Sequence, residues 1–348
     1  MRPIRVAIWG FGAMGQGMAE MLLTKRGVDI VGVCDHDPTL VGRTVQDVLT
    51  QTVESLIPVT DDIDLMLNEV DPDIVLLCTD SFVSGVYEKI KKLLEKNINV
   101  ITIAEEMVFP FQSHPALAKE LDDLAKEKDV TVLGTGINPG FVMDFLAIAL
   151  SGAMMDVEKM VITRKNSLNT FGLTVMEKYG IGETLEQYYE RITNKQPIGH
   201  IGLNQSAHMI FSGVGLKPSK FEQQIEPILT QTKRKTKYAT AKEGTLAGIS
   251  LTGQGYIDEQ LFLELHHPSQ IEPDAQGVQT EDSIYLEGKP NVNMTIRPEI
   301  DGGLGTIAVC VNMIPHVMNA KPGLKTMLDL PVPRAILGDM RDMLETIE

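Results

Sequence analysis

The sequence IRVAIWGFGAMG, at residues 4–15, decides the fold of this chain. Apolar and β-branched residues typical of a strand lead into a glycine-rich turn, and the residues from Gly15 onward have the pattern of a helix. A G-x-G-x-x-G turn between a strand and a helix is typical of a dinucleotide-binding Rossmann unit. Gly10 permits the tight turn, Gly12 lets the backbone approach a pyrophosphate, and Gly15 allows the helix to pack closely on the strand.

An acidic residue follows at the spacing that a dinucleotide site requires. Asp35 closes the next predicted strand, 20 residues after Gly15, where a carboxylate accepts hydrogen bonds from the adenosine ribose. Its charge repels a 2′-phosphate, so we predict NAD as the preferred cofactor, with NADP as the alternative. Arg43 is the nearby cation that could soften this preference, unless it is a solvated surface residue. The competing interpretation is a glycine-rich turn in another α/β protein, with Asp35 as an ordinary turn residue.

The first 150 residues alternate short apolar strands with amphipathic helices, which predicts a parallel sheet with helices on both faces. The predicted strands are 4–9, 30–34, 74–78, 100–104 and 130–133, with helices such as 85–96 and 114–128. Ligands bind beyond the carboxyl ends of such strands, although each strand end could equally be a loop without a ligand. The predicted cofactor-binding residues are Gly10, Phe11, Gly12, Ala13, Met14, Gly15, Asp35, Cys78, Thr79, Ala104 and Thr135.

From about residue 150 the pattern changes to that of an α+β domain. Strands are predicted at 157–164 and 261–266, a helix at 184–193, and hairpins or a loop at 272–291. We therefore predict three segments: a Rossmann domain at 1–145, an α+β substrate and dimerisation domain at 146–303, and a C-terminal helical segment at 304–348 that packs back on the first domain.

Composition narrows the classes of partner. The chain has 348 residues, 43% hydrophobic and 22% charged, as in an ordinary globular protein. Lys and Arg total 31 against 47 Asp and Glu, and this net charge of -16 argues against nucleic acid or membrane as a partner. Three widely spaced cysteines without a C-x-x-C pair indicate a reducing compartment and no metal site. Residues 1–23 lack a small-residue cleavage site and no apolar run is long enough to span a membrane, so we expect no signal peptide and a cytoplasmic protein.

Longer motifs carry a family resemblance. These are WGFGAMG at 9–15, IAEEMVFP at 103–110, GTGINPGFVMD at 134–144 and CVNMIPHVMNAKPGLKTMLDLP at 310–331. In these motifs the chain resembles the 2,4-diaminopentanoate dehydrogenases of ornithine fermentation, within the dihydrodipicolinate-reductase-like Rossmann group. The resemblance implies oxidative deamination of 2,4-diaminopentanoate at C4, giving 2-amino-4-oxopentanoate and ammonia. It also implies a Rossmann domain followed by an α+β domain, assembled as a homodimer.

Dihydrodipicolinate reductase itself is the nearest competing activity. The sequence Glu264-Leu265-His266-His267 is similar to that enzyme's paired-histidine motif. However, the lysine and the Pro-Ser-Gly-Thr-Ala segment that should follow are absent, and the pair falls too late in the chain. We therefore reject that specific activity.

The implied chemistry needs a proton acceptor, because hydride can leave an amine-bearing carbon only when the amine nitrogen is unprotonated. Glu105 is the predicted base and Glu106 the predicted substrate ligand. If the chain stays extended after the strand, their side chains point in opposite directions. Alternatively, the pair opens a loop or binds an arginine. His208 is a second candidate base, unless it is a packed, hydrogen-bonded residue.

The remaining substrate candidates lie in a turn and at a strand end. Asn138, Pro139 and Gly140 form a turn in which the amide of Asn138 can donate and accept hydrogen bonds; alternatively it satisfies only its own backbone. Arg164 could bind the substrate carboxylate or be solvated at the surface. Asp144 is expected to cap the following helix. Two other functions stay open, a dehydrogenase or reductase of another amino acid, hydroxy acid or cyclic imine, and a non-catalytic NAD(H) sensor.

Overall fold

The computed structural model describes residues 2–49 and 55–345 of the chain. The strands are β1 (Ile4–Trp9), β2 (Val28–Cys34), β3 (Val59–Thr60), β4 (Ile74–Leu77), β5 (Asn99–Thr102), β6 (Thr131–Gly134), β7 (Asp156–Ser167), β8 (Lys220–Leu229), β9 (Arg234–Lys235), β10 (Thr240–Ala241), β11 (Leu246–Ile257), β12 (Gln260–Gln270), β13 (Glu281–Lys289), β14 (Val292–Ile296) and β15 (Gly323–Lys325). The α-helices are α1 (Ala13–Leu23), α2 (Val45–Val48), α3 (Ile63–Val70), α4 (Val83–Glu95), α5 (Pro115–Glu127), α6 (Phe145–Ser151), α7 (Leu173–Lys178), α8 (Leu185–Thr193), α9 (Leu203–Gly213) and α10 (Gly302–Met318).

The chain divides into two compact units. The first comprises residues 1–141 together with 304–348, and the second comprises residues 142–303. The C-terminal segment therefore belongs to the first unit, but it is not helical throughout as predicted, because α10 ends at Met318 and β15 then adds a parallel strand beside β6. In the described part of the chain, no helix is both long and apolar enough to cross a membrane.

A seven-stranded parallel sheet forms the centre of the first unit, in the order β15-β6-β5-β4-β1-β2-β3. The strand order reverses between β1 and β4, and this switch point opens a crevice beyond the carboxyl ends of these two strands. Strand β4 is buried at all four positions, because a parallel sheet covered on both faces needs apolar residues throughout. The predicted Rossmann sheet is confirmed, with strand ends shifted by a few residues.

The second unit contains a six-stranded mixed sheet in the order β14-β13-β7-β12-β11-β8. All neighbours are antiparallel except β7 and β12. The strands predicted at 157–164 and 261–266 are present but longer. The segment 272–291 contains a 3-10 turn at Pro273–Gln276 and most of the β13–β14 hairpin. A parallel sheet in the first unit and a mixed sheet in the second confirm the predicted fold class.

Several elements of the second unit escaped the sequence analysis, among them β8, β11 and α9. Strand β11 contains three glycines, a residue that strands normally avoid. A Cβ at Gly255 would lie 2.6 Å from the ring of Phe211, and one at Gly253 would lie 2.9 Å from the ring of Phe221. The glycines thus leave room for aromatic rings from α9 and β8, a requirement of packing that strand propensity does not express.

Candidate active site

At two positions of the loop between β1 and α1, close contacts within the protein leave room only for glycine. Gly10 has a φ of +98°, and its N–H donates to the carbonyl of Cys34 at 2.8 Å. A Cβ there would lie 2.6 Å from the carbonyl oxygen of Cys78, and one at Gly15 would lie 2.0 Å from that of Gly10. Side chains at either position would force the loop away from the sheet, so the tight turn and the close helix packing expected at these positions are both present.

Gly12 is different, because a Cβ there would meet nothing within 4 Å. The protein packing does not explain this glycine, whereas a ligand lying against the backbone does. Gly12 is also the N-cap of α1; among the described residues, no side chain of the cap or first turn bonds the free N–H groups or brings a negative charge there. An uncapped helix end with a glycine open to solvent fits the pyrophosphate of a dinucleotide.

Asp35 lies where β2 ends and faces the glycine loop. One carboxylate oxygen accepts the backbone N–H of Phe11, and the other accepts that of Asp37 at 2.9 Å. The carboxylate therefore holds the loop in place and lies beside the segment that fits the cofactor. The side chain of Phe11 is fully buried, so only its backbone could contact a ligand. Arg43 is exposed and donates to the carbonyl of Asp47, which agrees with the surface alternative.

Cys78 and Thr79 follow β4 at the same edge of the sheet. The N–H of Cys78 donates to the carbonyl of Trp9 at 2.7 Å, which joins the two loops at the switch point. Burial raises the pKa of the Cys78 thiol to about 12, so this group is not a nucleophile at neutral pH. The hydroxyl of Thr79 accepts a hydrogen bond from Lys89 at 2.8 Å.

The two adjacent glutamates are not in extended chain, so the condition under which their side chains would point in opposite directions is not met. After Ala104, which is buried, Glu105–Val108 forms a 3-10 turn. The carboxylate of Glu106 accepts the N–H of Val83 at 2.9 Å and lies 3.1 Å from Nε2 of His114. Glu106 therefore caps α4, whose own N-cap residue provides no side-chain bond. This structural role argues against its prediction as a substrate ligand.

The turn after β6 presents polar atoms without partners. The hydroxyl of Thr135 and Nδ2 of Asn138 are buried and find no hydrogen-bond partner among the described residues. Gly140 has a φ of +122°, and a Cβ there would lie 2.6 Å from the N of Gly136, so the turn needs glycine. Pro139 precedes it in a cis peptide bond with Asn138. Buried groups of this kind destabilise a protein unless a ligand or water completes their bonds.

In the second unit, His208 lies on α9 and is half-buried. Its Nδ1 is 2.8 Å from the carbonyl of Asn204, one turn earlier, and its ring packs edge-on against Phe221. Because a carbonyl only accepts, Nδ1 carries the proton and the neutral ring has its lone pair on Nε2. Asp144 caps α6 by accepting the N–H of Phe145 and also accepts the hydroxyl of Ser206 at 2.7 Å.

Arg164 is only 2% exposed, so a solvated surface position is excluded. Its guanidinium donates to Asp282 at 2.6 Å and to the carbonyl of Ile300 at 2.6 Å. Burial raises the pKa of Asp282, and the positive charge of Arg164 opposes that rise. Two of the five guanidinium donors are thus used before any ligand binds.

A buried polar cluster beside Arg164 was missed by the sequence analysis. The Oδ1 of Asn166 accepts the hydroxyl of Ser269 at 2.5 Å and lies 3.1 Å from Nε2 of His267. The ring of His200 packs edge-on against that of His267, with centroids 4.9 Å apart. Burial, together with His200 and Arg164, lowers the pKa of His267 well below its ordinary value. If Nε2 donates to Asn166, Nδ1 is a buried acceptor, and it has no partner in the described chain.

The sequence does contain a signal for this cluster, in the residues that alternate along β7 and β12. Buried positions on β7 change from Met160 and Ile162 to Arg164 and Asn166. On β12 the buried series changes similarly, from leucines to His267 and Ser269. A buried sheet face that becomes polar at one end is typical of a ligand site, because such groups are costly without partners.

Comparisons with known proteins agree with this geometry. A family model described as an oxidoreductase family, NAD-binding Rossmann fold, matches residues 4–135. A model described as the 2,4-diaminopentanoate dehydrogenase C-terminal domain matches residues 141–346. A 2,4-diaminopentanoate dehydrogenase from Acetoanaerobium sticklandii is 48% identical over 345 residues, covering 99% of this chain and 98% of that protein.

Solved structures extend the comparison. The amine dehydrogenase from Mycobacterium smegmatis has a TM-score of 0.87 at 25% identity, over 96% of this chain and 98% of that one. The enzyme GenD2 from gentamicin A biosynthesis, solved in complex with NAD, has a TM-score of 0.54 at 16% identity, over 99% of this chain and 90% of that one, and so shares the fold.

A shorter similarity exists in sequence. The redox-sensing transcriptional repressor Rex from Caldicellulosiruptor bescii is 27% identical over 132 residues, covering 37% of this chain and 61% of that protein.

The fold and the site define an NAD(P)-dependent oxidoreductase of the amine and amino-acid dehydrogenase class. Within that class, the chain belongs to the 2,4-diaminopentanoate dehydrogenase family. The predicted resemblance and the predicted enzyme class are thereby confirmed. The similarity to Rex spans about a third of the chain and does not favour the sensor alternative.

Proposed function

We propose that this enzyme catalyses the oxidative deamination of 2,4-diaminopentanoate at C4, giving 2-amino-4-oxopentanoate and ammonia, with the reduction of NAD(P)⁺, as a step of ornithine degradation. The observation that carries this proposal is the 48% identity to a 2,4-diaminopentanoate dehydrogenase over nearly the whole chain. Water supplies the oxygen of the new ketone, and one proton is released for each hydride transferred when the ammonia leaves as ammonium.

We assign proton transfer to Glu105, in the 3-10 turn that follows β5. The C4 ammonium must lose a proton before C4 can release hydride, and the resulting iminium carbon must then gain water, so one base can serve both steps. His208 is the second candidate, because its Nδ1–H is held by Asn204 and its Nε2 is left as the basic atom. Glu106 remains the cap of α4 in this mechanism.

The buried polar cluster of the second unit is the proposed site for the rest of the substrate. A neutral His267 with an acceptor at Nδ1 suits the ammonium that persists at C2. Arg164 has three donors left after its bonds to Asp282 and Ile300, which suits the carboxylate. The unpartnered amide of Asn138, in the turn shaped by Pro139 and Gly140, is proposed as a further hydrogen-bond donor.

The cofactor is proposed to bind along the first unit, with its pyrophosphate at the N–H groups of Gly12, Ala13 and Met14. Asp35 would accept hydrogen bonds from the adenosine ribose and disfavour a 2′-phosphate, so NAD is preferred and NADP is the weaker alternative. Bound nicotinamide supplies the hydride acceptor. Residues at the strand ends are proposed to line the ring site: Cys78, Thr79, Ala104 and Thr135.

The two units are proposed to divide the labour, with the cofactor on the first and substrate recognition and dimerisation on the second. A homodimer is supported by the sheet of the second unit, because the face opposite its buried face is half-exposed and could be covered by a second copy. Residues that alternate with the buried series, such as Val161, Thr163 and His266, are half-exposed, and Tyr285 is 37% exposed.

The proposed location is the cytoplasm. Three free cysteines support a reducing, cytoplasmic location.

The test is the appearance of reduced cofactor when the purified enzyme and NAD meet a panel of amines. The panel contains 2,4-diaminopentanoate, 3,5-diaminohexanoate, diaminopimelate, ornithine and simple aliphatic amines, with NADP in parallel. We expect kcat/KM for 2,4-diaminopentanoate to exceed that for every other amine of the panel by at least about a hundredfold. Equal or greater turnover on another member would reassign the substrate within the same enzyme class.

A further inference from the structure

A cavity with a volume of about 440 Å³ lies in the first unit. Most of its walls come from the motif at 310–331, to which none of the proposed catalytic or cofactor roles belongs. The size is within the range of small-molecule sites in proteins.

The cavity lies beside β15, the outermost strand of the sheet, which is four strands away from β1 and its glycine loop. The C-terminal end of α10 and the residues after it meet the amino ends of the strands. The Sδ of Met318 is 3.6 Å from the amide of Asn99, which begins β5, and Thr131, which begins β6, donates to the carbonyl of Lys321. Asp35 and Cys78 follow the carboxyl ends of their strands, so this cavity is separate from the proposed cofactor site.

Positive charge is concentrated around the cavity. Lys321, Lys325 and Arg334 line it, and none of them has an ion pair within the described residues 2–49 and 55–345. The lining also includes Asp329 and Glu345. The carboxylate of Asp329 already accepts the N–H and hydroxyl of Thr326, each at 2.8 Å. Three cations around one cavity, of which Lys325 also acts on the nearby carboxylate of Asp122, are unexpected in a chain with a net charge of -16.

A buried histidine gives independent evidence for a ligand. His316 lines the cavity, is only 4% exposed, and has no hydrogen-bond partner for Nε2 within the described chain. Burial, and then the neighbouring charge of Arg334, lower the pKa of His316, so the ring is neutral at pH 7. A buried ring nitrogen without a partner destabilises the protein unless an occupant of the cavity completes its hydrogen bonding.

We propose that this cavity binds a small polyanion, bearing a phosphate or several carboxylates, through Lys321, Lys325, Arg334 and His316. An anion with two or more negative charges would pair with the three cations and accept a hydrogen bond from the buried imidazole. Arg334 would supply the forked donor that matches a phosphate or carboxylate. The site is separate from the reaction, so its ligand is an effector or a stabilising ion and not a substrate.

The test is isothermal titration calorimetry of the intact enzyme in low-salt buffer with saturating NAD, which occupies the phosphate site of the glycine loop. The titrants are inorganic phosphate, a sugar monophosphate and citrate, and their relative affinities distinguish a free phosphate, a phosphorylated metabolite and a polycarboxylate. At least one is expected to bind once per chain. Arg334→Gln and His316→Gln should weaken that binding at least about tenfold.

Lys217→Gln is the matched control, because it removes one exposed charge from the second unit. Its binding of the anion should equal that of the parent enzyme. Should His316→Gln fold poorly, the exposed Arg334 still carries the test. No binding of any titrant, or equal weakening in Arg334→Gln and Lys217→Gln, would overturn the proposal.

Discussion

The carboxylates that follow the parallel strands differ in role. Some bond the protein's own backbone, some are proposed to act on the ligands, and one is assigned both roles. Asp35 holds the glycine loop through the N–H of Phe11 and is also the proposed ribose acceptor. Glu106 is committed to α4 and His114, whereas Glu105, beside it, is the proposed base. The bonds of Glu106 thus favour a structural role over the substrate contact that the sequence predicted for it.

Asp35→Asn tests the ribose assignment, because the amide oxygen can still accept the Phe11 N–H while the negative charge is lost. We expect kcat/KM for NAD to fall about tenfold or more, and the ratio of NADP to NAD use to rise. Steady-state kinetics with both cofactors provides the measurement. Asp37→Asn is the control, since that carboxylate bonds Thr39 within its own turn. Equal changes in both variants would remove Asp35 from the ribose site.

Glu105→Gln and Glu106→Gln should separate catalysis from folding. Removing the proposed base should lower kcat by about 10²–10⁴-fold. Removing the charge that caps α4 should instead cost about 1 kcal/mol of stability and lower kcat less. Turnover numbers and thermal melts of both variants give the comparison. If Glu105→Gln keeps its turnover within a few-fold, the base is elsewhere and His208→Gln becomes the next variant.

At the scale of elements, the junction of β1 with α1 shows how packing and ligand binding select glycine for different reasons. Gly15 lies where α1 contacts the carbonyl of Gly10, whereas Gly12 lies where the helix begins and faces open space. Helix α10 packs against the turn after β6 through Thr306, which accepts the N–H of Ile137 at 3.2 Å. That contact adds the C-terminal segment to the first unit.

Gly12→Ala and Gly15→Ala form a matched pair. The Cβ at residue 12 meets no protein atom, so Gly12→Ala should melt within a few degrees of the parent yet bind NAD at least about tenfold more weakly. Gly15→Ala should lower the melting temperature markedly, because its Cβ would lie 2.0 Å from the Gly10 oxygen. Calorimetric NAD binding and thermal melts check both. Undiminished NAD affinity in Gly12→Ala would contradict the proposed pyrophosphate position.

At the scale of the whole molecule, polar groups are buried in both units without full sets of hydrogen bonds. Thr135 and Asn138 in the first unit, and His267 in the second, each have a buried atom with no partner in the described chain. Such groups cost about 1–3 kcal/mol each when unsatisfied. Bound cofactor and substrate would recover part of this cost, so ligands should raise the melting temperature by mass action.

Stability should fall with acidity because of His267, whose pKa is lowered well below its ordinary value by burial, His200 and Arg164. The unfolded chain gains a proton near pH 6.5, whereas the folded chain does not. Below that pH the unfolded state is therefore favoured, by up to about 1.4 kcal/mol per pH unit for this residue. His316, with its pKa also lowered by burial, adds to the slope.

Urea unfolding midpoints at pH 7.5, 6.5 and 5.5 measure this slope. His267→Gln should flatten it between pH 6.5 and 5.5, even if the variant is less stable throughout. His36→Gln is the control, because that ring is fully exposed, and it should leave the slope of the parent. A slope unchanged by His267→Gln would mean that His267 takes up its proton in the folded protein.

Local patterns predicted five of the seven strands of the first unit, all but β3 and β15, and the class of cofactor. The spacing of glycines in residues 10–15, the alternation of strands with helices, and the acid at 35 are properties of neighbours in the chain. Periodicity reports such properties directly, because helix and strand repeats are set by a few adjacent residues. The longer motifs then indicated the family, and the comparisons confirmed it.

Tertiary structure decided which polar side chains meet. Asn166 and His267 are 101 residues apart and come together only through the register of β7 with β12. Glu106 reaches Val83 of α4 across 23 residues, and Arg164 reaches Asp282 across 118. A sequence read alone contains the alternation on each strand but not the pairing between strands, because register depends on the packing of the whole sheet.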